Sequence, residues 1–293
     1  MYHIIVNEDN LKKKKNRKKL AATEKVFKEA GLEYTIHRTN RRGMPAEICS
    51  EVTSGKGNTI IAMGGDGTLH EILNGFIDFE NNSMGLIPLG TGNDFAAAAG
   101  IPLKAKKAAE IIAYGRAKPI DFLQLSSGLR SLNAVGTGID VDVLKIAYSG
   151  KNHAKSKYLR ALIKALIRFK SYRYKVVYDG KEEEHYGLIG AAGNGRQFGG
   201  GIKCFPDAKI DDGYLDLLVV DFISKIKIIG AFLKLMRGKI NKIKQVTAVK
   251  TKSFKIIPLD DNCTIQADGE LYDNVPLEVE LVEGKLNFFI PSV

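Results

Sequence analysis

The chain has 293 residues and a net charge of +11, with 44% apolar and 26% charged residues, a composition typical of a soluble globular protein and long enough for two domains. Its three cysteines, Cys49, Cys204 and Cys263, are too few and too widely spaced to predict a disulfide framework or a zinc site. Neither a signal-peptide pattern nor an apolar stretch long enough to span a bilayer is visible, so we expect a cytoplasmic protein.

Strand and helix signals alternate through the first 120 residues, which is the pattern of a parallel α/β sheet. Strands are predicted at Tyr2–Val6, at Glu33–Arg38 and in runs that end at Met63 and Leu89. Helices are predicted at Lys12–Ala30, in the segment that Pro45 opens, and at Lys107–Tyr114.

A glycine-rich turn, Gly64-Gly65-Asp66-Gly67-Thr68, follows the strand-like run Thr59–Met63, and helical apolar spacing starts at Leu69. Thr68 and Glu71 have the capping-box spacing, which predicts that the helix begins at Thr68. At such a junction, backbone N–H groups converge on an anion at the positive end of the helix dipole.

A second turn repeats this arrangement further along the chain. The apolar run Met84–Leu89 ends in Gly90-Thr91-Gly92-Asn93-Asp94, where Asn93 and Asp94 open a short alanine-rich helix. Two such turns in tandem predict a nucleotide-phosphate site. The glycine order excludes a dinucleotide fingerprint, no Gly-Lys-Ser/Thr follows as in a Walker A loop, and protein-kinase signatures are absent.

Short β-rich runs dominate after Pro119, separated by Gly and Asp-Gly turns, and they predict a β-sandwich. The expected domains are residues 1–120 and 121–293, with the last strand free to return to the first domain. Asp179-Gly180 and Asp268-Gly269 each predict a hairpin turn. The predicted strands are Ile120–Leu125, Leu132–Val135, Tyr174–Tyr178, Leu188–Ala192, Tyr214–Val220, Ser253–Ile257, Thr264–Ala267, Val275–Leu281 and Leu286–Ile290.

The positive charge is concentrated in three segments. Seven of the eight residues in Lys12–Lys19 are basic, and the windows Val143–Tyr178 and Phe222–Leu259 each hold ten Lys or Arg and no Asp or Glu. Both windows contain helical apolar stripes, which predict helices packed on a sheet with a basic outer face. Anionic membrane would attract such faces, whereas no nucleic-acid recognition motif is present. The stripes are Leu159, Leu162, Ile163, Leu166 and Ile167, and Ile226, Ile229, Leu233, Met236, Ile240 and Ile243.

Several of these motifs, in this order, resemble the diacylglycerol-kinase-type lipid kinases, a superfamily that includes sphingosine and ceramide kinases and, more distantly, NAD kinases. The resemblance is greatest to the bacterial soluble diacylglycerol kinases and covers most of the chain. It implies an α/β domain of the NAD-kinase type followed by a β-sandwich. The matching segments are Gly64–Thr68 with Asn74-Gly75, Pro88–Phe95, Gly193–Gly195 through Gly199–Gly201, Asp212–Asp216 and Asp268–Glu270.

The resemblance implies an ATP site in the first domain, where Asp66 would orient the phosphates and their magnesium. The family's Asn-Pro-x-x-Gly loop reads Asn7-Glu8-Asp9-Asn10-Leu11 here. Phosphate contact by this loop is therefore left open, with Lys12–Lys15 as substitutes. The nucleotide-binding residues implied are Asn7, Thr39, Gly64, Gly65, Asp66, Gly67, Thr68, Glu71, Thr91 and Asn93.

The same resemblance implies that Asp268 is the proton acceptor. It also implies a structural magnesium ion held by Asp212 and by the backbone carbonyls of Lys209 and Tyr214, with Asp211 as an alternative to Asp212. Asp121 is either part of a carboxylate–water–metal network or an ordinary residue at a strand start.

The expected function is that of an ATP- and Mg²⁺-dependent lipid kinase that phosphorylates a hydroxyl of diacylglycerol or a similar lipid. The alternatives are a kinase of another acceptor, a sphingoid base or NAD, and a non-catalytic protein that binds nucleotide or anionic lipid. We expect a lipid substrate at an anionic membrane surface, peripheral membrane association and no specific nucleic acid, and we leave a homodimer open.

Overall fold

The computed structural model describes residues 1–149, 156–260 and 264–291, so Cys263 lies outside the described residues. The chain divides into two compact units: unit 1 is Met1–Asp121 with Gly284–Val293, and unit 2 is Phe122–Glu283. No helix in the described ranges is long and apolar enough to cross a membrane.

The elements alternate in the first part of the chain and become mostly strands in the second. The helices are α1 Glu8–Lys12, α2 Lys14–Glu29, α3 Met44–Thr53, α4 Asp66–Gly75, α5 Asp94–Ala98, α6 Ala105–Tyr114, α7 Ile139–Tyr148, α8 Ser156–Arg168 and α9 Lys225–Met236. The strands are β1 Tyr2–Asn7, β2 Tyr34–Thr39, β3 Thr59–Gly64, β4 Ser83–Pro88, β5 Ala117–Leu125, β6 Arg130–Ser131, β7 Ala134–Gly138, β8 Tyr172–Tyr178, β9 Lys181–Gly193, β10 Leu215–Asp221, β11 Val246–Thr251, β12 Ser253–Pro258, β13 Thr264–Ala267, β14 Glu270–Asp273 and β15 Leu277–Phe289.

Unit 1 contains a parallel sheet in the order β2-β1-β3-β4, with the end of β15 parallel to β4. All six residues of β3 are buried, as expected for a central strand covered by helices on both faces. Asn7 pairs with Thr39, and Gly64 with Pro88, so the carboxyl ends of the four strands lie at one edge. In open parallel sheets this edge is where ligands bind. The predicted parallel α/β architecture is confirmed.

Unit 2 is built from antiparallel strands around β9, whose first half pairs with β8 and whose second half pairs with β7 and β10. Successive side chains of β10 point to opposite faces: Leu217 and Val219 enter one apolar core, and Leu218 and Val220 enter the other. The first core lies among the strands. The second lies under α7, α8 and α9, which places a helical layer on the sandwich.

Several local predictions are wrong. The helix expected at Lys12–Ala30 starts earlier, at Glu8, because the Asn7 carboxamide caps α1 by accepting from Asp9 N at 2.8 Å, and the helix breaks at Lys13. The α4 helix begins at Asp66 rather than Thr68, so the expected capping box does not form. Helix α7 was not predicted, and the two strands expected after Val275 are the single strand β15. The Asp179-Gly180 and Asp268-Gly269 hairpin turns are confirmed.

The predicted inward packing of the second apolar stripe is also wrong for the part of it on α9. Ile226, Ile229, Leu233 and Met236 are exposed, whereas Ile228, Phe232 and Leu235 pack against the core under the helix. The α9 helix is apolar on both sides, so periodicity alone could not show which side faces inward.

Candidate active site

The first glycine turn places the N-terminus of α4 at the carboxyl edge of the unit 1 sheet. Gly64 is the last residue of β3, and the helix starts two residues later at Asp66; the N-cap between them, Gly65, provides no side-chain cap. Uncapped N–H groups at the positive end of a helix dipole are suited to an anion such as phosphate.

The second glycine turn packs directly against the first. Gly64 O accepts from Leu89 N at 2.7 Å and from Gly90 N at 3.3 Å. A Cβ atom on Gly90 would lie 2.6 Å from Gly65 Cα, which is closer than real Cβ atoms come. The backbones can therefore meet this closely because Gly90 has no side chain, and a Cβ atom on Gly65 would also be tight, at 3.0 Å from Gly90 Cα. The structure thus brings the two predicted turns together.

Asp66 ties the first turn to the helix that follows the second turn. Its Oδ1 accepts from Phe95 N at 3.2 Å, at the start of α5. The neighbouring Asn93 is in the left-handed region, with φ of 52°, and its Nδ2 donates to Gly90 O at 2.8 Å. Thr91, between them, is exposed. The side chains of Asp66 and Asn93, both predicted to bind nucleotide, therefore help to hold the second turn in shape.

The other predicted nucleotide residues lie on strand ends and on α4. Thr39, at the end of β2, is fully buried, and its Oγ1 has no hydrogen-bond partner within the described part of the chain. Glu71 on α4 accepts from Gly43 N at 2.8 Å, which ties the loop after β2 to α4. Asn7 is engaged in capping α1. Its carboxamide oxygen is therefore already committed to the backbone.

Lys19 is a cation at this edge of the sheet. The sequence shows it only as one member of the basic run Lys12–Lys19, with nothing that predicts a role of its own. Its Nζ donates to Pro88 O at 3.0 Å, at the carboxyl end of β4, and burial lowers its pKa. Of the lysines proposed as substitutes for the first loop, Lys12 is paired with Asp9 at 2.7 Å, and Lys13 to Lys15 are exposed.

In unit 2, four donors hold the carboxylate of Asp268 at the β13–β14 turn. Its Oδ1 accepts from Ser131 Oγ at 2.6 Å and from the backbone N atoms of Asn133 and Ala134 at 2.9 and 3.2 Å. Its Oδ2 accepts from Leu132 N at 3.0 Å. The carboxylate is therefore rigidly oriented by these hydrogen bonds.

Asp212, one of the residues predicted to bind a structural magnesium ion, is paired with a lysine of the same chain. Lys250 Nζ lies 2.8 Å from Asp212 Oδ2 and 3.1 Å from Asp216 Oδ2. Burial by itself lowers the pKa of Lys250, but its hydrogen bonds to the two carboxylates outweigh that effect and raise it. No cluster of three or more His, Cys, Asp or Glu side chains among residues 1–149, 156–260 and 264–291 could hold a metal ion. The predicted donor set, one carboxylate with two backbone carbonyls, is of another kind, and the ion at Asp212 stays a prediction.

The other residues considered for the metal sites are either exposed or part of a strand. Asp211 is exposed, and so are Lys209 and Tyr214. Asp121, at the end of the first segment of unit 1, is buried and accepts from Gly284 N at 2.7 Å. This contact gives Asp121 a structural role at the strand.

Unit 2 also contains an apolar pocket that sequence reasoning missed. It has a cavity volume of about 110 Å³ and lies between α7, α8 and α9 on one side and β9 and β10 on the other. Its described lining is almost entirely aliphatic and aromatic, and Asp140 on α7 is the one charged residue in it. No sequence motif marks it, because its lining is drawn from side chains scattered between residues 139 and 246.

Asp140 is a buried carboxyl group with no good hydrogen bond from the rest of the described chain to either oxygen. Burial raises its pKa to about 7, and the nearby Gln266 amide offsets this only in part. Gln266 in turn accepts from Gly269 N at 3.1 Å, next to Asp268. Gln266 therefore lies near Asp140 and is hydrogen-bonded to the turn that carries Asp268.

Comparison with known protein families gives two matches that together span most of the chain. Residues 1–125 match the diacylglycerol kinase catalytic domain, and residues 133–290 match the YegS C-terminal NAD kinase beta sandwich-like domain. The second model alone covers more than half of the chain and agrees with the antiparallel sandwich of unit 2.

Curated relatives and solved structures agree with these models. A diacylglycerol kinase of Bacillus subtilis (strain 168) is 28% identical over 270 residues, covering 89% of this chain and 87% of that protein. One from Staphylococcus aureus (strain bovine RF122 / ET3-1) is 28% identical over 296 residues, covering 99% and 92%. The crystal structure of a diacylglycerol kinase from Bacillus anthracis str. Sterne superimposes with a TM-score of 0.75 at 26% identity, covering 99% of this chain and 96% of that one.

An NAD kinase from Archaeoglobus fulgidus, solved in complex with ATP, shares the fold, with a TM-score of 0.53 at 13% identity, covering 99% of this chain and 93% of that one. The predicted fold class, an NAD-kinase-like α/β domain followed by a β-sandwich, is confirmed. The chain belongs to the diacylglycerol-kinase-type lipid kinase family of the bacterial soluble type, and it is a kinase.

Proposed function

We propose that this kinase transfers the γ-phosphoryl group of ATP to the free hydroxyl of diacylglycerol or a closely similar lipid, giving a phosphatidic-acid-type product. The observation that carries the choice of acceptor is the apolar pocket of unit 2. Its hydrocarbon lining suits an acyl chain. NAD, with its charged phosphates and polar sugars, would leave its polar groups without partners there.

The nucleotide part of the proposal rests on the paired glycine turns of unit 1. The α4 N-terminus provides backbone donors for the phosphates, and Asp66 ties the first turn to the helix that follows the second turn. Buried Thr39 and partly buried Lys19 add a hydroxyl and a cation at the same edge of the sheet. Magnesium that arrives with ATP would supply charge neutralisation, as it generally does in phosphoryl transfer.

In this scheme Asp268 accepts the proton of the lipid hydroxyl. The hydroxyl oxygen forms a bond to the γ-phosphorus while the bond from that phosphorus to the β–γ bridging oxygen breaks, and ADP leaves. The four donors fix the direction of the carboxylate, whose oxygens are the proton-accepting atoms in this scheme.

A sphingoid base is a second candidate acceptor, and Asp140 is the observation that favours it. A cationic ammonium group would pair with Asp140, the one carboxyl group in the described lining of the pocket, which has no good partner among the described residues. The Asp140→Asn variant separates the two candidates. It should preserve phosphorylation of a neutral diacylglycerol and abolish that of an amine.

The test is incubation of the purified protein with labelled ATP and Mg²⁺ and with separate micelles of diacylglycerol, sphingosine and ceramide, and with NAD in solution. We expect label in phosphatidic acid and its loss in Asp268→Asn. Label in NADP alone, or in no acceptor at all while ATP still binds, would contradict the proposal.

A further inference from the structure

The outer face of α9 is the most exposed large apolar surface on a single helix in the described chain. Ile226 is 90% exposed, Ile229 68%, Leu233 47% and Met236 41%. Their spacing of three and four residues places them on one side of the helix. A soluble protein rarely leaves four such side chains together in water without a partner.

The opposite face of the same helix lines the apolar pocket. Ile228, Ala231, Phe232 and Leu235 border the empty space and pack against the core. The α9 helix is therefore the wall between the pocket and the outside of unit 2. Any partner of its outer face would lie one helix thickness away from the acceptor site.

An aromatic pair stands just before this helix. Phe222 and Tyr186 are both about half exposed, and their rings are stacked with centroids 5.9 Å apart. Ser224, two residues after Phe222, is the N-cap of α9. Exposed aromatic rings beside an apolar helix are typical of segments that lie at the boundary between lipid head groups and water.

The positive charge around α9 indicates what kind of partner its outer face would bind. Residues Phe222–Leu259 contain ten Lys or Arg and no Asp or Glu. Lys227, Lys234, Arg237 and Lys239, on or just after α9, are exposed. A second copy of this chain would bring two such basic surfaces together, which like-charge repulsion opposes. An anionic lipid surface accepts both the apolar face and its basic border.

We propose that the outer face of α9, made by Ile226, Ile229, Leu233 and Met236, inserts into the head-group region of an anionic bilayer, so that one helix contacts the membrane and lines the acceptor pocket. The inference rests on the proposed function, because the pocket is taken to hold a membrane lipid. A lipid leaving the bilayer would then reach the pocket along α9 without crossing bulk water.

The test is flotation of the full chain with vesicles of phosphatidylcholine, with and without phosphatidylglycerol. The variant is Ile226→Gln/Ile229→Gln/Leu233→Gln, which changes exposed positions and keeps good helix formers. The matched control is Ile77→Gln in unit 1, an isolated isoleucine that is 57% exposed. We expect the triple variant to bind anionic vesicles at least about 30-fold more weakly than wild type. The control should bind like wild type. Wild type itself should bind neutral vesicles only weakly.

A water-soluble, short-chain diacylglycerol separates this inference from the proposed function. The triple variant should phosphorylate it like wild type and lose activity only on vesicles. If wild type floats through α9 yet phosphorylates no lipid, the proposed function fails and the docking surface stands. If wild type is active and the triple variant floats equally well, the docking surface is wrong. A wild-type dimer that the triple variant converts to a monomer, with unchanged flotation, would also overturn it.

Discussion

The two units make their candidate sites from different materials. In unit 1 the site is made of backbone, with two glycine turns so close that a single Cβ atom would not fit between them. In unit 2 it is made of side chains, with a carboxylate held by four donors and a pocket lined by scattered apolar residues. A backbone site tolerates no added atom, whereas a side-chain site can be changed in shape and charge while the fold remains.

Asp268→Asn tests the side-chain site most severely. We expect kcat to fall about 10³-fold, because a neutral amide cannot accept the hydroxyl proton, while the KM for ATP changes little. Ser131→Ala is the matched control, since it removes the 2.6 Å donor and leaves the carboxylate. It should cost far less, and activity of Asp268→Asn within tenfold of wild type would exclude the role of proton acceptor.

The pH dependence of the unfolding free energy of the Asp140→Asn variant tests whether the Asp140 carboxyl group in the pocket is protonated in the folded state. Since burial raises the pKa of Asp140 from 3.8 to about 7, the folded state holds a proton that the unfolded state releases above about pH 4. Wild-type stability should therefore fall as pH rises from about 4 to 7, and the variant should lack this slope. At pH 8 we expect the variant to be more stable by roughly 3–4 kcal/mol.

Urea unfolding at pH 5 and pH 8 measures this difference. The difference should be smaller at pH 5, roughly 1–2 kcal/mol, because the folded state keeps the proton there while the unfolded state has already released most of it. A variant that is less stable than wild type at pH 8 would mean that the carboxylate is charged and paired in the folded protein.

Gly90→Ala tests the backbone site. Its Cβ atom would meet Gly65 Cα at 2.6 Å and push the two turns apart, so we expect ATP affinity to fall about 100-fold. Gly230→Ala in α9 is the control, because a Cβ atom there meets nothing within 4 Å. Isothermal titration with a non-hydrolysable ATP analogue measures both, and wild-type affinity in Gly90→Ala would show that the turns do not bind phosphate.

Lys250→Met gives the smallest expected effect and tests whether this lysine takes the place of a metal ion. It leaves Asp212 and partly buried Asp216 without their shared cation, and burial already raises the pKa of Asp216. We expect a loss of about 1–2 kcal/mol in stability, which millimolar Mg²⁺ partly restores. Wild type should melt at the same temperature with Mg²⁺ or EDTA, and a large drop in EDTA would show a resident metal ion.

The contrast between the units also explains what the sequence could predict. Glycine-rich turns after predicted strands, such as Gly64-Gly65 and Gly90, are visible in the sequence and predict a site made of backbone atoms. The alternation of strand and helix signals predicts the parallel sheet. The pocket was missed because Asp140 sits on a helix that was not predicted and its apolar partners are far apart in sequence. The α9 stripe was assigned to the wrong face because a helix that is apolar on both sides has no distinctive periodicity.

The most direct test of the central claim is to fill the pocket and leave the nucleotide site unchanged. In Ala231→Phe, a larger side chain would project from α9 into the empty space. With a series of diacylglycerols of increasing acyl length, we predict that kcat/KM falls at least tenfold for long chains, that short chains are affected less, and that the KM for ATP is unaltered. An unchanged dependence on chain length would show that the acceptor does not occupy this pocket.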